Sequence, residues 1–396
     1  IRPFRAIRFA PGTDLSEVTA PAYDVVGPRE QSELASRHPH NIIGVTLDRD
    51  TPGDDASSNK YTRAAARLRD WLAAGVLAED EKERLWLYRL DYPSHGSTST
   101  TVGVVAAVEL SPFGDRIAPH ERTMAGPKAD RLELMRTTAA NLEPLWFVAA
   151  RPLGGVGALA ERLEPRPPAA DVTDRQGTRH RLWAIPGDDA GALVASAAGV
   201  PFVIADGHHR YETALAYRDE RRAAEGPGPW DFTLGLIVDP VEHPPVLDPI
   251  HRLVDPPDAA PLLASLRAGG ELDPFAGGAH ELLAEVARRG PGTIGVVSGV
   301  PGEEGAWTMT SSAEPDTVTL SEILSPSGTP VRYEHDRELF LDAVAAGALG
   351  FALAPTPLAV VLEHALAGRR MPPKTTLFWP KPRSGLLLRD LGPPAA

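Results

Sequence analysis

Apolar positions recur along this chain at two periods, and together they set out an alternation of strands and helices. Tyr61, Ala65, Leu68, Leu72 and Val76 fall at helical spacing, with Asn59 placed to cap a helix running to about Ala78. Residues 85–90 and 102–110 are apolar runs joined by a Ser/Thr/Gly loop, which predicts a hairpin. Helices are expected from Pro28 onward, at 128–136, within the Gly/Pro/Ala-rich stretch 151–170, and at 190–198. Strands are expected over 1–9, 41–47, 144–149, 182–185 and 232–238. The clearest boundary follows the apolar run Pro201-Phe202-Val203-Ile204-Ala205: a helical pattern starts at Tyr211 and continues to about Ala224.

Beyond residue 240 the pattern breaks on four prolines and then resumes. Helical patterns at 281–289, 338–346 and 357–367 alternate with apolar strands at 293–297, 307–310 and 351–354. A chain of 396 residues exceeds what one small core holds, so two domains are expected, at 1–254 and 255–396. The fold class is α/β (α+β): a mixed-sheet core followed by a smaller C-terminal α+β domain.

Composition narrows the chemistry. Without cysteine, the chain has no disulfide, thiolate metal site or cysteine nucleophile. Acidic residues outnumber basic ones 53 to 40, for a net charge of −13, which argues against a nucleic-acid partner. No apolar run approaches the roughly 20 residues that span a bilayer, so no membrane partner is expected. No apolar h-region follows Ile1-Arg2-Pro3-Phe4-Arg5, so a cytoplasmic location is expected. Only five of the 40 basic residues are lysines: Lys60, Lys82, Lys128, Lys374 and Lys381. In so arginine-rich a chain, a retained lysine suggests a place where a compact ammonium is needed.

Three segments could carry chemistry. Asp206-Gly207-His208-His209-Arg210 sits between a strand and a helix, where helix-start N–H groups and the positive end of the dipole favour an anion, phosphate above all. The plainer alternative is that Asp206 caps the helix and the His pair packs. His120-Glu121-Arg122-Thr123, with Lys128, Asp130 and Arg131 after it, gathers acid, base and phosphate-binding groups in a loop that opens a helix. It could equally be a solvated surface of ion pairs. Met371-Pro372-Pro373-Lys374, running on to Lys381, is a stiffened segment that could close a phosphate pocket or form an edge strand pinned by prolines. There is no Gly-x-x-x-x-Gly-Lys-Ser/Thr phosphate loop, Gly-x-Gly-x-x-Gly turn or Gly-x-Ser-x-Gly elbow.

At these motifs the chain resembles domain-of-unknown-function family 1015, nearly end to end. The resemblance rests on Pro21-Ala22-Tyr23-Asp24-Val25, His120-Glu121 with Asp130-Arg131-Leu132, Ala139-Ala140-Asn141-Leu142 and the run 205–214. It continues in His251-Arg252, Tyr333-Glu334-His335-Asp336 and Met371-Pro372-Pro373-Lys374. Ala22 departs from the proline expected there. More distantly, the strand–Asp206-Gly207-His208-His209-Arg210–helix unit is similar to the ParB/sulfiredoxin-like fold, whose members include kinases of free serine. The resemblance implies a nucleotide-dependent phosphotransferase acting on serine or a similar small hydroxy metabolite, with ATP or ADP as cofactor and Mg²⁺ as the metal. Gly207, His208, His209, Arg210, Lys128, Arg131 and Lys374 would hold phosphates. Asp206, Glu121, His120 and His208 would be catalytic, with Asp206 and Glu121 also the metal ligands. The alternatives are a phosphatase acting on phosphoserine and a non-catalytic nucleotide-binding regulator; assembly into a homo-oligomer is open.

Overall fold

Phe202–Asp206, the apolar strand ahead of the turn, pairs on both sides and is buried from Phe202 to Ala205. It runs parallel to Ile117–Pro119 and antiparallel to Leu145–Ala149, with a register irregularity between Ile204 and Asp206. In the computed structural model, which describes residues 1–94, 96–121, 126–325 and 328–393 (side chains of 126 and 127 excepted), this strand belongs to an eight-stranded mixed sheet. The spatial order is Ile117–Pro119, Phe202–Asp206, Leu145–Ala149, Phe232–Val238, Ser97–Glu109, Trp86–Ser94, Arg179–Ala184, Ala170–Thr173. The expected hairpin is the pair Trp86–Ser94 and Ser97–Glu109, in register from Trp86 opposite Val105 to Ser94 opposite Ser97.

Helix His208–Glu225 follows the strand and buries Tyr211 and Ala214 in the same core as Phe147, Ile204 and Ile237. Tyr211 also fixes the helix by its hydroxyl, which accepts from Ser111 N–H at 3.0 Å and donates to Ser111 O at 2.8 Å. Asn59 caps Lys60–Ala73 as expected, its side chain accepting from the N–H groups of Tyr61 and Thr62. The stretch 41–47 is not a strand: Ile43–Thr46 is a short helix. Asn41 Oδ1 accepts from Ile43 N–H and its Nδ2 donates to Glu17 O, which turns the backbone before an apolar run that periodicity alone cannot classify.

The chain divides into two units. The first comprises Ile1–Pro119, Thr123–Pro245 and Pro380–Ala396, and the second His120–Arg122 and Val246–Trp379. The division therefore falls nine residues before the expected start at 255, and the last segment of the chain returns to the first unit. The return is made by hydrogen bonding: Leu388–Asp390 inserts between Ala6–Phe9 and Ala140–Asn141 in a second, four-stranded sheet. This insertion places Lys381, Arg383 and Ser384 among residues from the start of the sequence.

The second unit is built on a six-stranded antiparallel sheet in the order Asp273–Pro274, Gly305–Thr310, Thr293–Ser298, Leu349–Ala352, His251–Val254, Arg332–Glu334. Alternate residues along its strands enter different cores. Val254, Val296 and Phe351 pack with Leu263 and Leu320, whereas Leu253, Val297 and Ala352 pack with Leu282 and Phe340. That alternation is the signature of a sheet covered by helices on both faces. Among the described residues, no helix is long and apolar enough to cross a membrane.

Candidate functional site

Gly207 sets the geometry of the first unit's site. It stands at φ +97, ψ 29 between the bulged strand end and the first turn of an 18-residue helix, and a Cβ there would lie 2.9 Å from Leu145 Cδ2. The left-handed backbone favours glycine, and any Cβ would push the Leu145 side chain aside. No side chain caps the helix, and the first backbone bond of its opening turn runs from Tyr211 N–H to Gly207 O. Any α-helix leaves its first N–H groups without intrahelical acceptors and carries partial positive charge there.

Asp206 does not cap the helix. Its Oδ1 meets Lys381 Nζ at 2.7 Å and its Oδ2 accepts from Arg210 Nη2 at 2.8 Å. Lys381 also pairs with Asp24, and Arg210 donates to Pro144 O at 3.0 Å and to Glu143 Oε2 at 3.3 Å. Glu143 accepts in turn from Tyr23 N–H and from the Ser384 hydroxyl. The guanidinium groups of Arg131 and Arg210 lie 4.3 and 5.8 Å from the centre of the Tyr23 ring. The side chains of this network are 7–17% exposed at Glu143, Lys381, Arg210 and Asp206, so water screens them little.

Burial alone would raise the pKa of Asp206, but the charges of Lys381 and Arg210 override it and hold the carboxyl well below the usual range. Lys381 and Arg210 are correspondingly held protonated by their acidic partners in spite of burial. Burial pushes the Tyr23 phenol up to about 12. Asp206 is thus a permanent anion at neutral pH, and a weak base. A cavity of about 50 Å³, bordered by Arg131, Arg210, Glu143, Asn141 and Thr213, adjoins the network. It is small enough to suit a water or two, not a nucleotide.

The other phosphate candidates of this unit are committed in different ways. Arg131 bonds Asp130 at 2.8 Å and Thr46 O at 2.7 Å, and Lys128 pairs with Glu212 on the helix that Gly207 opens. His208 and His209 are half-buried in the first turn, and the charge of His208 helps to hold Asp206 ionised.

His120, Glu121 and Lys374 fall in the second unit, in a cluster of their own. His120 is buried, with Nε2 2.8 Å from Thr376 Oγ1, and Met371 N–H donates to His120 O at 2.8 Å. Glu121 accepts from the backbone N–H groups of Lys374 and Thr375. Its pKa is nevertheless raised, because burial outweighs those bonds and the charges of Lys374 and Arg252. Lys374 holds φ +59, and its carbonyl accepts from Arg252 Nη2 at 2.7 Å. Arg252 stacks over Tyr333, 4.6 Å from the ring centre, and burial lowers it to about 10. Arg122 and Thr123 lie outside the described residues.

The structure brings Asp206 and Arg210 together with Lys381, Glu143 and Asp24. Lys381 is one of the five lysines and ends a segment singled out in the sequence as one that could close a phosphate pocket, and Asp24 lies in one of the resemblance motifs, but neither was tied to the turn. Glu143 carries no motif of its own.

Mg²⁺ does not fit the carboxylates assigned to it. Both oxygens of Asp206 are engaged by cations, and Glu121, in the other unit, faces backbone donors with its pKa raised. Among the described residues no group of three or more His, Cys, Asp or Glu side chains is placed to hold a metal ion.

A family model described as a protein of unknown function, DUF1015, matches residues 1–315. No curated protein matches the chain. Among solved structures, the chain is similar to a free serine kinase in complex with AMP, at 15% identity and a TM-score of 0.38, over 69% of this chain and 86% of that one. It is similar to a conserved hypothetical protein from Pyrococcus furiosus at 14% identity and TM-score 0.36, over 71% and 92% of the two chains. C-terminally truncated SbnI from Staphylococcus aureus matches at 10% identity and TM-score 0.39, over 72% and 86%.

Proposed function

We propose that this chain, which belongs to the DUF1015 family, is a nucleotide-dependent phosphotransferase that moves a phosphoryl group to the hydroxyl of serine or a similar small hydroxy metabolite. The observation that carries the reading is the Gly207 turn: an uncapped helix start behind a left-handed glycine, with Lys381 and Arg210 both anchored on Asp206. Phosphoryl transfer asks mainly for positioning and neutralisation of charge, and backbone N–H groups with fixed cations supply both. The acceptor class follows the resemblance in the sequence to ParB-like kinases of free serine.

In this reading the acceptor oxygen bonds to the terminal phosphorus of the nucleotide, the bond from that phosphorus to the leaving phosphate oxygen breaks, and the hydroxyl proton passes to a base. Asp206 positions Lys381 and Arg210; its depressed pKa makes it a poor proton acceptor. Glu121, the other carboxylate named for the proton, belongs to the second unit, and His208 is the named group that stands at the turn itself. His208 and His209 lend their ring N–H groups to the phosphates. ATP and ADP are the nucleotides to test.

The test is ligand-dependent stability of the full chain with ADP, ATP and AMP, since a ligand that binds only the native state raises Tm by mass action. A rise with a nucleotide in the wild type that vanishes in Arg210→Ala supports the site. An equal rise in both proteins removes the turn from consideration. Phosphoserine hydrolysis without nucleotide would instead make the protein a phosphatase.

A further inference from the structure

A second cavity of the first unit, of about 270 Å³, is lined by charged groups that the phosphate site does not use: Arg37, Arg383, Arg175, Glu17, Glu30 and Asp174. Its volume corresponds to that of roughly nine waters in the liquid. Glu30, Leu34 and Arg37 reach it from one face of the helix Pro28–Arg37, at positions four and then three residues apart. Arg383 reaches it from the C-terminal segment that the four-stranded sheet ties back into this unit.

The charges are unevenly satisfied. Arg37 Nη1 donates to Ser16 O at 3.2 Å, while its Nη2 is buried without a hydrogen-bond partner. Arg383, 6% exposed, spends Nε and Nη2 on Thr19 at 2.5 and 3.1 Å and leaves Nη1 uncommitted among the described residues. Asp174 is fully engaged by the N–H groups of Gln176 and Thr178 and by His180. Arg175 is paired with Glu33. Glu17 and Glu30 make no side-chain hydrogen bond or ion pair among the described residues. One cavity therefore holds two guanidinium groups with donors to spare and two carboxylates with acceptors to spare.

An unpaired charged donor in a buried position costs more than its hydrogen bond would return, so such a group is expected to meet an acceptor. A simple anion bound to Arg37 and Arg383 would face Glu17 and Glu30, and a simple cation on the acids would face the arginines. A small ligand with both poles satisfies both sets at once. We propose that this cavity binds a free α-amino acid as its zwitterion, with the carboxylate on Arg37 and Arg383 and the ammonium on Glu30 and Glu17. The inference stands on the cavity's own chemistry and does not require phosphate at the Gly207 turn.

The test is calorimetric titration of the full chain, without nucleotide, with L-serine and glycine and with the single-pole analogues ethanolamine and glycolate. The amino acids are expected to bind, and each analogue to bind at least about tenfold more weakly, the worth of one charge-assisted contact. Arg37→Met and Glu30→Gln are each expected to weaken the amino acid by about tenfold or more. Arg37→Lys, which keeps the charge, should retain part of the affinity. Unchanged melting temperatures of the variants without ligand would show that they fold. Glycolate binding as tightly as serine, full affinity in Arg37→Met and Glu30→Gln, or no binding of any amino acid at millimolar concentration would each overturn the proposal.

Discussion

Lys381 Nζ lies 2.7 Å from Asp206 Oδ1, so a lysine near the end of the sequence completes a turn formed in its middle. The contact depends on the C-terminal segment folding back along the first strand, where Leu388 pairs with Ile7. It makes Asp206 the shared counter-ion of two cations, one local in sequence and one remote.

Asp206→Asn is expected to destabilise the protein by about 3 kcal/mol, because it leaves two buried cations sharing a neutral amide. Lys381 keeps Asp24 and Arg210 keeps Glu143, which limits the loss. Adding Lys381→Met should recover part of it, since the unmatched charge is then gone. Urea unfolding of the two variants and the wild type measures both effects.

Gly207→Ala should cost about 1–3 kcal/mol, from a left-handed backbone and the crowding of Leu145. Leu145→Ala in the same chain would relieve the crowding alone. A double variant as stable as Leu145→Ala by itself would show that the backbone conformation carries no strain for alanine.

The second unit should lose stability in mild acid through His251. Its ring is buried beside Phe340, its Nδ1 accepts from Leu353 N–H at 3.1 Å, and burial lowers it to about 4, with the charges of Arg252 and Arg337 acting in the same direction. The unfolded chain binds this proton near the ordinary histidine value and the folded chain does not, so stability falls as pH drops from there towards the folded pKa. The expected loss from this group is about 2 kcal/mol between pH 7 and pH 5. His251→Asn, whose side-chain oxygen can still accept from Leu353, should flatten that part of the pH–stability curve. An unaltered slope would mean that other groups carry it.

The Gly207 turn was legible because strand, glycine, polar cluster and helix lie within one short window of sequence. In the second unit the helices Ala279–Arg289, Arg337–Ala345 and Leu358–Leu366 and the strands Thr293–Ser298 and Gly305–Thr310 were legible from their apolar periods. The helices Ala259–Gly269 and Asp316–Leu324 and the strands His251–Val254 and Arg332–Glu334 were not read. The C-terminal return was not, because Leu388–Asp390 and Ala140–Asn141 are strands of three and two residues, too short for a period. Glu143 and Asp24 owe their place to partners distant in sequence, which no local pattern records. At 41–47 an apolar run looked like a strand, and the deciding bond from Asn41 to Glu17 O is a tertiary one. Lys374 and Lys381 share a segment in the sequence but belong to different units, and no feature of the segment marks the division between Trp379 and Pro380.

Phosphoryl transfer at the Gly207 turn is measured by following labelled phosphate from ATP or ADP to serine with the purified full chain and its Arg210→Ala variant. Phosphoserine is expected from the wild type and a rate at least about a hundredfold lower from the variant, the order of loss when one preorganised donor to transition-state charge is removed, with an unchanged circular dichroism spectrum. Wild-type turnover in Arg210→Ala, or no transfer by the wild type from either nucleotide, would contradict phosphoryl transfer at this turn.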